Sequence, residues 1–235
     1  MEECTSQCCV REPLKEKVVI ILSGGMDSTT LLYDIVQQGY DVHAISFNYG
    51  QKHKKELRLA KKTCLKLNVP HQLLSLKVLN QIAPSCLTRK DWAVPEGHYE
   101  SENMKQTVVP NRNMVMLSLA TSYCIGIGAK KLFYGAHSGD HAIYPDCRKE
   151  FIDKMREVMS VCDWNPVELL APYWDIDKGD IAIKGKSLNV DYKLTWTCYK
   201  GRKKACGCCG ACQERLVAFK KSGVGDPVKY EARLR

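Results

Sequence analysis

Residues 17–49 read KVVIILSGGMDSTTLLYDIVQQGYDVHAISFNY, and this stretch decides the fold. Val18 to Leu22 is an unbroken aliphatic run, the pattern of a strand buried on both faces. SGGMDSTT follows as a turn, and LLYDIVQQGY has helical character with Gly39 where a helix-ending glycine belongs. Val42 to Phe47 then returns to β-type apolar content. Strand, turn, helix and strand in this order make a βαβ unit, whose two strands run parallel.

Working outward, the pattern repeats. A helix is expected over His53 to Leu67, stopped before Pro70, with a strand at His71 to Leu76. Asn113 to Ile127 carries apolar and small residues at helical spacing, and Lys131 to Tyr134 reads as a buried strand. Asp146 to Val161 is expected to be helical, Glu168 to Tyr173 a strand and Lys178 to Leu188 a helix. This alternation predicts an α/β fold, a parallel sheet with helices on both faces. Thr88 to Val109 is polar, contains Pro95 and Gly97, and reads as a long loop or lid. Beyond Asp191 the composition changes, because five of the 13 cysteines fall between Cys198 and Cys212. The expected organisation is a tail over 1–16, a nucleotide-binding α/β domain over 17–190 and a small cysteine-rich helical module over 191–235.

The 235 residues suit one large domain with an appendage, and 45% hydrophobic with 26% charged residues excludes disordered and coiled-coil classes. The longest aliphatic run falls far short of the ~18 residues a membrane helix needs. The opening residues MEECTSQCCVREP lack the apolar core of a signal peptide, so the expected compartment is the cytoplasm. In that reducing setting an odd cysteine count argues for core, reactive or metal-binding thiols over a disulfide framework. The formal charge of +9 fits nucleic acid, a polyphosphate or simple solubility, and does not choose among them.

The turn after the first strand offers chemistry. Ser23-Gly24-Gly25-Met26-Asp27-Ser28 can aim backbone N–H groups and two hydroxyls at phosphate oxygens, at the positive end of a helix. The adjacent glycines permit positive φ and close approach, and Asp27 is placed to hold Mg²⁺ or orient phosphates. The dinucleotide pattern G-x-G-x-x-G does not fit. Neither does the P-loop, whose nearest approach, Gly179 to Ser187, has one residue too many. No lysine lies within Ser23 to Thr30, so the loop does not point to γ-phosphoryl transfer.

In TWTCYKGRKKACGCCGACQERLVAF, Cys198, Cys206, Cys209 and Cys212 have the spacing of four metal ligands. Two C-x-x-C steps bring three thiolates around one point and the preceding loop supplies the fourth. Cys208 breaks an x-x step and is the extra thiol. Zinc and an iron–sulfur cluster both accept four thiolates, and the compact knuckle favours structural zinc. Cys64 and Cys124 lie in helical patterns and read as small core residues.

SGGMDSTT after a hydrophobic strand resembles the pyrophosphate loop of the N-type ATP pyrophosphatases, which have a Rossmann-like adenine nucleotide alpha hydrolase fold and cleave ATP between the α and β phosphates. Four further motifs follow in order: YGQKH with EL (49–57), VPNRN (109–113), GDHAIYPDCR with EF (139–151), and WTCYKG followed by the cysteine knuckle. Together, from Val18 to Phe219, they resemble the 7-cyano-7-deazaguanine synthase family, nitrile-forming ligases of queuosine biosynthesis. The resemblance implies a homodimer, one zinc per subunit, ATP with Mg²⁺, ammonia and 7-carboxy-7-deazaguanine. It implies that the carboxylate is adenylated and converted to an amide, whose oxygen is adenylated in turn to give the nitrile.

On this reading Leu22, Ser23, Gly24, Gly25, Met26, Asp27, Ser28 and Thr29 form the nucleotide loop. Asp27, Ser23, Arg112 and Lys178 are the catalytic set. Asp140, Tyr144, Asp146 and Arg148 are expected to recognise the substrate. Cys208, Gly210 and Ala211 depart from the more polar knuckle positions common in the family, and the segment before Lys17 extends beyond the family's usual start. A tRNA thiolase that delivers sulfur is the nearest rival, but the length leaves no room for an appended RNA-binding domain. A zinc module that binds nucleic acid electrostatically would leave the glycine loop unused. Neither membrane nor direct nucleic-acid binding is expected.

Overall fold

The computed structural model describes residues 15–231. The expected tail, with Cys4, Cys8 and Cys9, lies outside the described residues except for its last two positions. In chain order the elements are β1 (Lys17–Ile21), α1 (Met26–Gln37), β2 (Asp41–Asn48), α2 (Lys55–Leu67), β3 (His71–Ser75), the single turn α3 (Leu79–Ile82) and α4 (Arg112–Ile127). They continue with β4 (Lys131–Phe133), α5 (Lys149–Val161), β5 (Glu168–Leu170), α6 (Lys178–Ser187) and α7 (Gly210–Ser222). The five strands are all parallel and stand in the order β3-β2-β1-β4-β5. The chain leaves β1 in one direction for β2 and later returns to its other side with β4. That reversal of strand order opens a crevice beyond the ends of β1 and β4.

Strand alternation divides the core in two. Val19 faces Ile45, Leu132 and Leu169 under α4 and α5. Val18 and Ile20 face Ala44 and Phe133 under α1, α2 and α6. All three β1 residues are wholly buried, each contributing about 1.5–3 kcal/mol by removal from water. Cys64 and Cys124 sit inside these clusters, and burial pushes both thiols up to about 12. They are inert core residues, as their helical setting indicated.

Two departures from the sequence pattern bear on function. The 88–109 segment is no free lid: Tyr99 and Met104 are buried, and residues 102–107 form a 3₁₀ turn. Glu96 bridges to Cys209, and the Gly97 N–H donates to the Cys208 carbonyl at 3.0 Å. Its few apolar anchors are irregularly spaced, so no periodicity reveals them. The cysteine-rich segment also packs closely onto the α/β body. Met26, Ala182, Tyr192, Ala218 and Phe219 form a small third core joining α1, α6 and α7. Within this segment Arg215 is fully buried, bonded through Nε and Nη2 to Asp226 and through Nη1 to Thr195 and Thr197.

Candidate active site

A cavity of about 1080 Å³, solvent at its mouth included, opens at the crevice. Its floor is the loop after β1, and the segments after β2 and β4 form two walls. The loop is organised by its own hydroxyls. Ser28 Oγ accepts from the Ser23 N–H at 3.2 Å and lies 2.9 Å from Ser23 Oγ, which accepts from the Gly25 N–H. Gly25 opens α1 without a side-chain cap, leaving the first-turn amides beside the cavity, where an anion is favoured. Gly24 has φ +86°, and a Cβ there would stand 2.3 Å from the Glu56 carbonyl. Its glycine character serves the close packing of the loop against α2.

One wall is ionic. Lys178, at the start of α6, is buried; its Nζ lies 2.5 Å from Glu214 Oε2 and 3.4 Å from Asp27 Oδ2. Burial pulls the ammonium pKa down, but the carboxylates of Asp27, Glu214 and Asp140 outweigh it and hold it above its ordinary value. His137 Nε2 stands 3.4 Å from Asp140 Oδ2 and 3.8 Å from Asp27 Oδ2. Burial raises the Asp140 carboxyl, but His137, Lys178 and a 2.7 Å hydrogen bond from the Tyr99 hydroxyl hold it below the usual range. Among the described residues, Asp27 Oδ1 is buried without a hydrogen-bond partner, and that carboxylate oxygen fits a divalent cation.

The facing wall is aromatic and mostly uncharged. Arg112 Nη1 donates to the Tyr49 hydroxyl at 3.4 Å, with its guanidinium 5.5 Å from that ring's centre. Tyr144 Oη lies 2.6 Å from Thr107 Oγ1 and 3.2 Å from Tyr199 Oη, and the rings of Tyr199 and His53 are 5.5 Å apart. Burial pushes the Glu56 carboxyl up to about 8 and the His53 imidazole down to about 3. Their 3.3 Å contact is therefore a neutral hydrogen bond near pH 7.

Beside the cavity, the Sγ atoms of Cys198, Cys206, Cys209 and Cys212 lie within 4.8 Å of one another and all four residues are buried. A tetrahedron of sulfurs about 2.3 Å from a central metal has edges of about 3.8 Å, so the group is placed to hold a metal ion. Cys208 is turned away, its Sγ 3.5 Å from Lys200 Nζ.

The structure brings together most of the residues singled out in the sequence. Leu22, Ser23, Gly25, Asp27, Ser28, Arg112, Asp140, Tyr144 and Lys178 all line the cavity. Gly24, Met26 and Thr29 do not. Helix α1 begins at Met26, so the side chains of Met26 and Thr29 fall on its core side and are wholly buried. Asp146 and Arg148, of the expected substrate set, are not among the residues lining the cavity. Asp146 Oδ2 instead accepts the Asn113 N–H at the start of α4, and exposed Arg148 donates to the His141 carbonyl before α5 begins. Closeness in sequence placed them with Asp140, and they lie in and just after the 3₁₀ turn Pro145–Cys147. Sequence reasoning missed His137, Tyr99, Glu214, His53 and Glu56. The motifs GAHSGD and QKHKKE held two histidines and a glutamate that marked them, whereas nothing local marked Tyr99 or Glu214.

Comparison with known proteins agrees with this architecture. The chain is 63% identical over 215 residues, covering 92% of it and 99% of the relative, to 7-cyano-7-deazaguanine synthase of Methanoregula boonei. The protein of that name from Pseudoalteromonas translucida is 53% identical over 93% of this chain and all of the relative. Among solved structures, NMN synthetase from Francisella tularensis has the same fold at 14% identity, with a TM-score of 0.51 over 90% of this chain and 79% of that one. The family model described as queuosine biosynthesis protein QueC matches residues 17–223, and the chain belongs to that family.

Proposed function

We propose that this chain is an ATP-dependent C–N ligase that converts 7-carboxy-7-deazaguanine and ammonia to 7-cyano-7-deazaguanine through an adenylated carboxylate and an adenylated amide. The observation that carries the reading is near-full-length identity to proteins bearing that activity in their names. The cavity's chemistry agrees with it. Carboxylate oxygen is a poor leaving group toward ammonia, and attaching AMP makes it a good one. The Ser23 and Ser28 hydroxyls and the first-turn amides of α1 bind the departing pyrophosphate. Lys178, held between Asp27 and Glu214, neutralises charge as it develops, and Arg112 supplies the second fixed cation. Mg²⁺ carried with ATP fits Asp27 through its unpartnered oxygen and supplies further charge neutralisation there. Asp140 and Tyr144 orient the purine-like substrate between the two walls.

The four cysteines hold one structural zinc, which keeps the 198–212 segment folded beside the cavity; a homodimer acting in the cytoplasm is the expected assembly. No helix among the described residues is long and apolar enough to cross a membrane. The test mixes the metal-replete protein with Mg-ATP, an ammonium salt and 7-carboxy-7-deazaguanine. Appearance of the nitrile by mass spectrometry with release of AMP is expected; absence of both products removes the reading.

A further inference from the structure

The acids lining the cavity do not share one task. Asp27 and Asp140 face Lys178 and His137 on the ionic wall. Among the described residues, Glu56 is the lining acid that faces neither. It sits in the first turn of α2, the helix whose backbone packs on Gly24, so it flanks the nucleotide loop. Its carboxyl is oriented rather than ion-paired. Gln51 Nε2 donates to Oε1 at 3.0 Å and is itself fixed by the Tyr49 N–H and the Phe47 carbonyl. His53 Nε2 holds the second oxygen at 3.3 Å. A buried carboxyl with a doubly anchored amide and an imidazole as partners is built to move a proton at a fixed atom.

The reading above leaves such a task unassigned. In its last step the imidoyl adenylate R–C(=NH)–O–AMP becomes R–C≡N. The C–O bond breaks and its electron pair leaves with AMP, while the N–H electron pair becomes the new C–N π bond. One proton must go to a base. Resting on that reading, we infer that Glu56 is the catalytic base for nitrile formation, taking the N–H proton on a carboxylate oxygen while Gln51 and His53 hold it in place. The proton then passes to water at the cavity mouth. Burial keeps the carboxyl's affinity for a proton high and Arg112 draws it toward ionisation, so the form able to accept the proton is the minority near pH 7 and grows as pH rises through about 8. The first half-reaction depends less on this group, because ammonia attacks with its own lone pair and the resulting ammonium sheds its proton readily.

The two halves can be read separately in one assay by following acid, amide and nitrile together. Glu56→Gln keeps the size of the side chain and an oxygen for Gln51 but cannot take the proton. It is expected to convert acid to amide within a few-fold of the wild-type rate, to form nitrile about 100-fold or more slowly, and so to accumulate amide. Supplying the amide directly is expected to show the same loss. An unchanged amide-to-nitrile ratio, or an equal fall in both halves, overturns the assignment. Should Glu56→Gln fail to fold, Glu56→Asp retains a carboxyl set back by one methylene. A selective loss of nitrile formation of about 10-fold is expected there, and an equal loss of both halves overturns the assignment again. A wild-type protein that makes neither amide nor nitrile refutes the functional reading instead, so the two failures are distinguishable.

Discussion

The two walls of the cavity bury titratable groups by opposite means. Around Lys178, the ammonium stands among the carboxylates of Asp27, Asp140 and Glu214, which hold it above its ordinary value; with His137 it keeps Asp140 below the usual range, while burial raises Glu214 against its pull. Around His53 and Glu56, charge is removed: burial drives the imidazole down to about 3 and the carboxyl up to about 8, and the neighbouring phenols are pushed up as well. Among the described residues, Arg112 is the cation lining that side. An ionic wall suits phosphate and its metal, whose charges substitute for those already there. A neutral aromatic wall suits a flat heterocycle and the transfer of a proton.

The contrast is most open to attack at Lys178. Lys178→Ala leaves three carboxylates facing one another without their cation. Loss of about 3–5 kcal/mol of stability is expected in denaturant unfolding, because a buried charge set that loses one partner is left uncompensated. Catalysis is expected to fall about 100- to 1000-fold in kcat/KM with the fold retained, the scale of losing one preorganised charge donor. A variant with unchanged unfolding would mean that the wall is not ionic in solution.

A smaller effect is expected from the cysteine cluster, which reaches the ionic wall along one helix. Cys212 and Glu214 lie two residues apart in the first turns of α7, and Glu214 is the nearest partner of Lys178. Cys212→Ser is expected to reduce bound metal from one per chain to none and to speed hydrogen exchange of the α7 amides. It is also expected to lower turnover about 10-fold through the loosened Glu214. Metal loss with unchanged exchange in α7 would show that the cluster does not brace this wall.

The sequence revealed the ionic wall's floor better than either wall. SGGMDSTT was legible because a strand, two glycines and a helix start have a local physical reason to be adjacent. The cysteine set was legible because metal ligation imposes spacing. What stayed hidden depends on long-range packing. Glu214 meets Lys178 across 36 residues, and Tyr99 meets Asp140 across 41 from a segment without periodicity. Asp146 and Arg148 follow Asp140 closely in the motif, yet neither is among the residues lining the cavity. The division of 17–190 from 191–235 follows the change in composition, yet Trp196, Thr197, Tyr199 and Ala211 line the same cavity as the loop after β1.

The pH dependence of stability tests whether the second wall is neutral. Glu56 releases its proton near 4.5 when unfolded and near 8 when folded, with Gln51, His53, Tyr49 and Arg112 facing it. Between those values the folded state binds more protons, so the Glu56 contribution to stability is full below about pH 4.5 and is lost as pH rises through about 8. His53 runs the other way: its contribution is present above 6.5 and is lost as pH falls toward 3. Glu56→Gln deletes the first dependence and retains the second. Urea midpoints measured at pH 5, 7 and 9 are therefore expected to rise in the variant relative to the wild type as pH increases. Parallel curves would mean that Glu56 ionises at its ordinary value in the folded chain, making the second wall as ionic as the first and leaving the carboxylate without the proton affinity that base catalysis there requires.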